Sequence, residues 1–243
     1  MNFGEKSKIH SKEKIIQFLN TEHTGHFSTI DSQGFPFVTP MNFVYYDDSI
    51  YIHGFPRGEK YENISHNEKC GFEISKELAF LPSYFFEPKE DASKTDTLYV
   101  SVVIKGTASL MDNVQLKCDI LNDMMQKYQP EGGYEKLTPD MPMMRGVGMI
   151  KISVNSMTGR YKMGKYWNDS EKLVIAQRIM KRAVNEPKLT LQTLNVSGLD
   201  KLDDVETKKV AWKYSSEIVS QMGYSNKLQY PEISLIVVND VNW

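Results

Sequence analysis

Cysteine is nearly missing from this chain: Cys70 and Cys118 are its two thiols in 243 residues, far apart and each set among apolar neighbours. Two lone cysteines cannot staple a small secreted scaffold or build a cysteine zinc cluster, so the expectation is a pair of reduced, buried thiols. Long apolar runs are missing too. Neither the opening MNFGEKSKIHSKEK nor any later segment approaches the roughly 20 apolar residues of a spanning helix. Charge of one sign is not in excess: 29 Lys and Arg stand against 31 Asp and Glu, a net charge of −2. Bulk charge therefore recommends neither nucleic acid nor an anionic membrane as partner. These absences together read as a cytoplasmic chain, long enough to bury a core without disulfides or metal, in which any anion site must be local.

What is present is a meander. Ser11 caps a short amphipathic helix carrying Ile15, Ile16 and Leu19. His26 to Ile30, Phe35 to Tyr46 and Ile50 to His53 read as three strands separated by the turns Asp31-Ser32-Gln33-Gly34 and Asp47-Asp48-Ser49. A helix follows from Gly58 to about His66, then a strand from Lys69 to Ser75. Two prolines and a charged run make residues 78–97 a loop, with one extended piece at Ser83 to Glu87. Leu98 to Met111 gives the clearest period-two pattern, with Leu98, Val100, Val102, Ile104, Gly106, Ala108 and Leu110 on the core face. Asp112 or Asn113 caps a helix in which Val114, Cys118, Leu121 and Met125 share a face. Val147 to Val154 is the closing strand.

Six antiparallel strands with short helices between them predict a mainly β fold, a closed or partly closed barrel. From about Trp167 the texture changes. Helices at Glu171 to Val184 and Asp203 to Met222, the latter stopping at Gly223, and a strand at Ile233 to Val238 form a C-terminal α/β extension. The expected division is a barrel over residues 1–166 and an extension over 167–243, docked on the barrel or on a partner chain.

Three elements carry chemistry in a fixed order: Gly34-Phe35-Pro36 leading to Pro40-Met41-Asn42-Phe43-Val44, then Ile50-Tyr51-Ile52-His53-Gly54, then Gly58-Glu59-Lys60 with Asn63-Ile64. Their order and spacing resemble the FMN-binding split barrels of the pyridoxamine-phosphate oxidase superfamily, and within it the nitroimidazole-resistance branch. The resemblance spans roughly residues 10–165. It implies FMN as cofactor, a homodimer with the flavin between two barrels, and an FMN-dependent oxidoreductase that reduces a nitroaromatic or another small electrophile.

The residues themselves suit that chemistry. Gly58 opens a helix whose free N–H groups and positive dipole end favour phosphate, with Lys60 in the first turn and Arg57 beside it. Thr39, Pro40, Met41 and Asn42 lie on the strand that, by resemblance, runs along the flavin ring. Proline lacks a ladder N–H, so Pro40 marks an edge, a bulge or a break in pairing. By the same resemblance His53 and Gly54 border the cofactor, Ser101 reaches it, and Arg160 of Thr158-Gly159-Arg160, just after the last strand, pairs with phosphate or substrate. Glu59 departs from the family, whose oxidases often have a basic residue there. An imidazole titrates near neutral pH, and His53 is the candidate proton donor. His23 and His26 flank Thr-Gly with no thiol or carboxylate cluster, so no metal site is expected. The alternative reading is a non-catalytic module holding flavin or haem in the same groove, with His53 or another histidine as the axial ligand.

Overall fold

The computed structural model describes residues 7–194, 196–226 and 233–238. Its strands are β1 (Lys8–Ile9), β2 (Thr24–Ile30), β3 (Pro36–Tyr46), β4 (Ser49–Gly54), β5 (Lys69–Leu81), β6 (Asp96–Leu110) and β7 (Gly148–Lys162). They run in the order β1-β7-β4-β3-β2-β5-β6, and β6 pairs back onto β7. That last pairing closes a ring of six strands, so the barrel has no free edge where β6 meets β7. The expected mainly β barrel is what forms.

Two compact units divide the chain. The first, residues 9–75 and 101–159, contains the barrel body with α1 (Lys12–Thr21), α2 (Glu59–His66) and α3 (Val114–Tyr128). Alternation decides which side chains fill it. Along β6 every second residue from Leu98 to Ala108 is buried, as the pattern predicts, while the last, Leu110, is 51% exposed because the strand ends there. The strand β4 is buried on both faces: Ile50 and Ile52 alternate with Tyr51, which packs with Cys118, Leu121 and Met124 of α3. A helix laid over its outer face explains why this strand reads as a continuous apolar run. Asn113 caps α3 by accepting the Leu116 N–H, and Ser11 caps α1 by accepting that of Lys14. Met125 is only half-buried, not core.

Glycines allow two close approaches inside this unit. A Cβ on Gly25 would stand 2.3 Å from the Phe72 ring, and one on Gly106 would stand 2.7 Å from the Ser153 carbonyl oxygen. Gly159 lies within β7, not after the last strand. Its missing side chain leaves room for Ile9 and Ile15, each within 3.0 Å of where a Cβ would be.

The second unit takes described residues from 7–8, 76–100 and 160–238. It contains α4 (Asp169–Asn185), α5 (Pro187–Thr193), α6 (Asp204–Gln221), and the paired strands β8 (Tyr224–Asn226) and β9 (Leu235–Val237). The helices α4 and α6 each open on a capping box, Asn168 with Glu171 and Asp203 with Glu206, and Gly223 at φ 98° follows α6. Ala183, Leu191 and Ala211 form a core among the three helices. The helix α5 was not expected, although Pro187 at its first position is a helix-start signal. Residues 78–97 also depart from the expected loop: β5 continues through buried Ala79 and Leu81, and Ser83–Phe85 is a single 3₁₀ turn, not an extended piece. Alternation in Leu78-Ala79-Phe80-Leu81 carries the strand as far as Pro82, where it ends.

Candidate functional site: a groove at the open edge of strand three

The central strand β3 has unequal neighbours. It pairs with β2 over Pro36 to Asn42, matching Ile30 to Thr24, and with β4 only over Phe43 to Tyr46. Residues 36–42 therefore turn an unpaired edge away from β2. Pro40 sits in this stretch, opposite His26, where its missing N–H removes nothing from a ladder with β4. The break in pairing inferred from Pro40 is present.

Beside that edge lies a groove of about 370 Å³ lined by Pro40, Met41, Asn42, His53, Met124, Met125 and Tyr128. Four sequence-predicted residues meet in it. Continuing the Phe43 to Ile52 register by one step brings Asn42 and His53 side by side. His53 keeps much of its surface in solvent, yet the protein around the imidazole desolvates it and lowers its pKa below the ordinary histidine value. It is therefore predominantly neutral at pH 7.

Lys60 reaches the C-terminal end of β4, one residue past His53. Gly58, at φ 94°, caps α2 without a side-chain bond, and the Lys60 Nζ comes to 3.9 Å from where a Cβ on Gly54 would stand. Its neighbour Tyr61 has a buried hydroxyl with no hydrogen-bond partner among the described residues, close to Gly148 and Pro56. Arg57 goes elsewhere: its guanidinium lies 5.4 Å from the exposed Phe55 ring. Thr39 pairs with Phe27, and Ser101 is half-buried on β6; neither lines the groove. Arg160 is exposed on β7, in the second unit.

The last turn of α3 supplies what sequence reading missed. Tyr128 accepts the Phe43 N–H at 2.9 Å, and its own hydroxyl lies 2.5 Å from the His23 carbonyl and 3.0 Å from that of Phe43. Lys127 donates to the carbonyls of Leu19 at 2.9 Å and Phe43 at 3.1 Å, with its ammonium 3.8 Å from the Phe43 ring centre. Burial pushes the Lys127 pKa down to about 8, against a smaller opposing pull from Glu22. These two side chains clamp β3 at the residue where β4 pairing stops. Only their place one turn beyond Met124 and Met125 hinted at it.

The two histidines near the start of β2 serve different partners. His26 meets Glu73 at 3.2 Å, and His23 stacks on Tyr128 with centroids 4.7 Å apart. Among the described residues no group of three or more His, Cys, Asp and Glu is placed to hold a metal. Cys70 and Cys118 are free thiols, and burial raises the Cys70 pKa to about 12, far from thiolate reactivity.

A closed six-stranded barrel with helices over one face and a groove at an interrupted strand is a split barrel. Residues 11–161 match the family model for pyridoxamine 5'-phosphate oxidase, well over half of the sequence, and the chain belongs to that family. No curated protein matches it. Among solved structures, a proposed 5-nitroimidazole antibiotic resistance protein from Bacteroides thetaiotaomicron is 24% identical at TM-score 0.51, over 63% of this chain and 84% of that one. A flavocytochrome from Azotobacter vinelandii is 18% identical at TM-score 0.58, over 71% and 78%. An FAD and haem binding protein from Mycobacterium smegmatis is 14% identical at TM-score 0.56, over 70% and 80%. At such identities these likenesses show the fold. The membrane question has a narrower answer: among the described residues no helix is long and apolar enough to cross a bilayer.

Proposed function

We propose that the chain is an FMN-dependent oxidoreductase that reduces a small, electron-poor substrate, with nitroaromatics the first class to try. The observation that carries this reading is the unpaired β3 edge, with His53 at one side of it and Lys60 reaching the end of β4. Loose backbone groups on residues 36–42 suit the polar edge of a flat ring, and the groove volume lies in the range of small-molecule sites. Lys60 and the Gly58-capped start of α2 suit a phosphate. Bound flavin would supply the hydride chemistry. His53, held neutral, takes a proton from solvent and passes it to the reduced substrate, while Asn42 and the Met124-Met125 wall orient that substrate. Glu59 leaves the phosphate end with one cation fewer than the oxidases have, so binding is expected to rest heavily on Lys60.

A homodimer completes this reading. Val38 and Val103, 56% and 45% exposed on the barrel unit, are apolar surface that a second copy would cover. A second reading has one observation in its favour: a neutral imidazole lining a groove is also what haem ligation needs. The absorption spectrum of the purified protein before and after addition of FMN tests both. Flavin bands that bleach with reduced nicotinamide support the oxidoreductase, with extraction and chromatography distinguishing FMN from FAD. A Soret band supports haem. A colourless protein that takes up neither contradicts both.

A further inference from the structure

The second unit has a cavity of its own, and nothing in the proposed reaction uses it. It measures about 680 Å³ and lies between the 83–96 segment and the start of α4. One wall is aromatic. Trp167 packs 5.8 Å from Phe86 and 5.1 Å from Tyr166, centre to centre. The indole is seated on purpose: Gly164 has φ 66°, a Cβ there would stand 2.0 Å from the Trp167 ring, and the Trp167 N–H closes a turn onto the Gly164 carbonyl at 3.0 Å. Val174 of α4, also in the lining, keeps 42% of its surface exposed. Aromatic and apolar surface left open in a concave site of this volume is the usual lining for a flat organic ligand.

The charges in the cavity are mostly spoken for. Lys162 pairs with Asp96, and Arg178 pairs with Glu87 at 2.9 Å. The Glu171 carboxylate accepts the Asn168 N–H at 2.8 Å as part of the α4 capping box. Lys94 is held least: it is exposed and forms no salt bridge among the described residues, its charge neighbour being Asp91, outside the cavity lining. The cavity thus offers one exposed cation, held in no salt bridge among the described residues, beside an aromatic wall.

We propose that this cavity is a second ligand site, separate from the groove, for a planar aromatic or heteroaromatic molecule carrying one anionic group. The ring lies between Trp167 and Val174, and the anion meets Lys94. Because every lining residue is in the second unit, this inference does not depend on the flavin reading.

The test is isothermal titration of the full chain with 1-naphthoate and with its uncharged amide, 1-naphthamide, each with and without excess FMN. Naphthoate is expected to bind one per chain, about two- to fivefold tighter than the amide, the range of an exposed ion pair, and FMN should leave both affinities unchanged. Lys94→Ala should remove the preference and leave amide binding intact. Trp167→Leu should weaken both probes at least fivefold, and since that change disturbs packing, Val174→Glu on an exposed position provides the second variant, expected to repel naphthoate more than the amide. Displacement of naphthoate by FMN would assign it to the groove and overturn the proposal. So would equal affinity for the two probes, or affinities indifferent to Lys94→Ala and Val174→Glu.

Discussion

In the barrel unit, shape comes from strands paired across long stretches of chain, and its groove opens where one pairing stops. The second unit is built differently. Its two long helices begin on their own capping boxes, and its cavity is walled by side chains whose charges, Lys94 apart, are already paired. The difference bears on chemistry. In the groove, backbone groups on the open edge and a desolvated imidazole are left with capacity to spare: burial lowers the His53 pKa, while Lys127, lowered to about 8 by burial, is committed beside the groove to two carbonyls. The ionised pairs of the second unit are matched in place, an arrangement suited to holding a ligand and not to moving protons.

The largest expected effect separates the two regions by activity. His53→Ala should slow turnover of a nitroaromatic by about 10²- to 10⁴-fold, the usual worth of a positioned proton donor, while FMN stays bound. Turnover of the parent protein should rise as pH falls below about 6.5, because protonation of His53 is what the lowered pKa withholds, and the variant should lack that limb. Stability runs the other way. With its folded pKa below the unfolded value, His53 binds its proton more readily in the unfolded chain, so stability falls as pH drops through about 6.5, and His53→Gln should flatten that slope in melting curves. Equal turnover in the variant would return His53 to a structural role.

Barrel closure is the next target. Valine at Gly106 would drive a side chain into the Ser153 carbonyl and Ile152, and backbone cannot yield as a flexible side chain can. Gly106→Val should cost about 3 kcal/mol or more in urea unfolding. Lys127→Met should cost less, about 1–3 kcal/mol, by depriving the Leu19 carbonyl of its donor. That loss should come with weakened FMN binding if the clamp on Phe43 shapes the open edge. In the second unit Asp203→Ala removes one capping box and should cost about 1 kcal/mol, read as faster amide exchange in α6 with FMN affinity unchanged. Loss of FMN in that variant would break the comparison.

The barrel was largely legible in the sequence because period-two alternation survives in β6 and because Pro40 announces an interrupted ladder. His53, Asn42, Met41 and Pro40 were marked as site residues by the resemblance to the family, and they meet in the groove because residues close in a meander stay close in the fold. Tyr128 and Lys127 were not, because their partners His23, Leu19 and Phe43 lie at least 84 positions away and no local pattern marks such a contact. The cavity of the second unit was hidden twice over. Its 83–96 wall has little regular structure to predict, and an aromatic cluster such as Tyr166-Trp167 reads in sequence as ordinary core.

The most direct measurement is FMN titration of the parent chain and Lys60→Ala, followed by quenching of flavin fluorescence. Quenching at one FMN per chain, with the variant weaker by about 1.5–3 kcal/mol, is the result predicted for a phosphate held by Lys60 at the start of α2. No quenching by the parent chain, or the same affinity in both proteins, would contradict the placement of flavin in this groove.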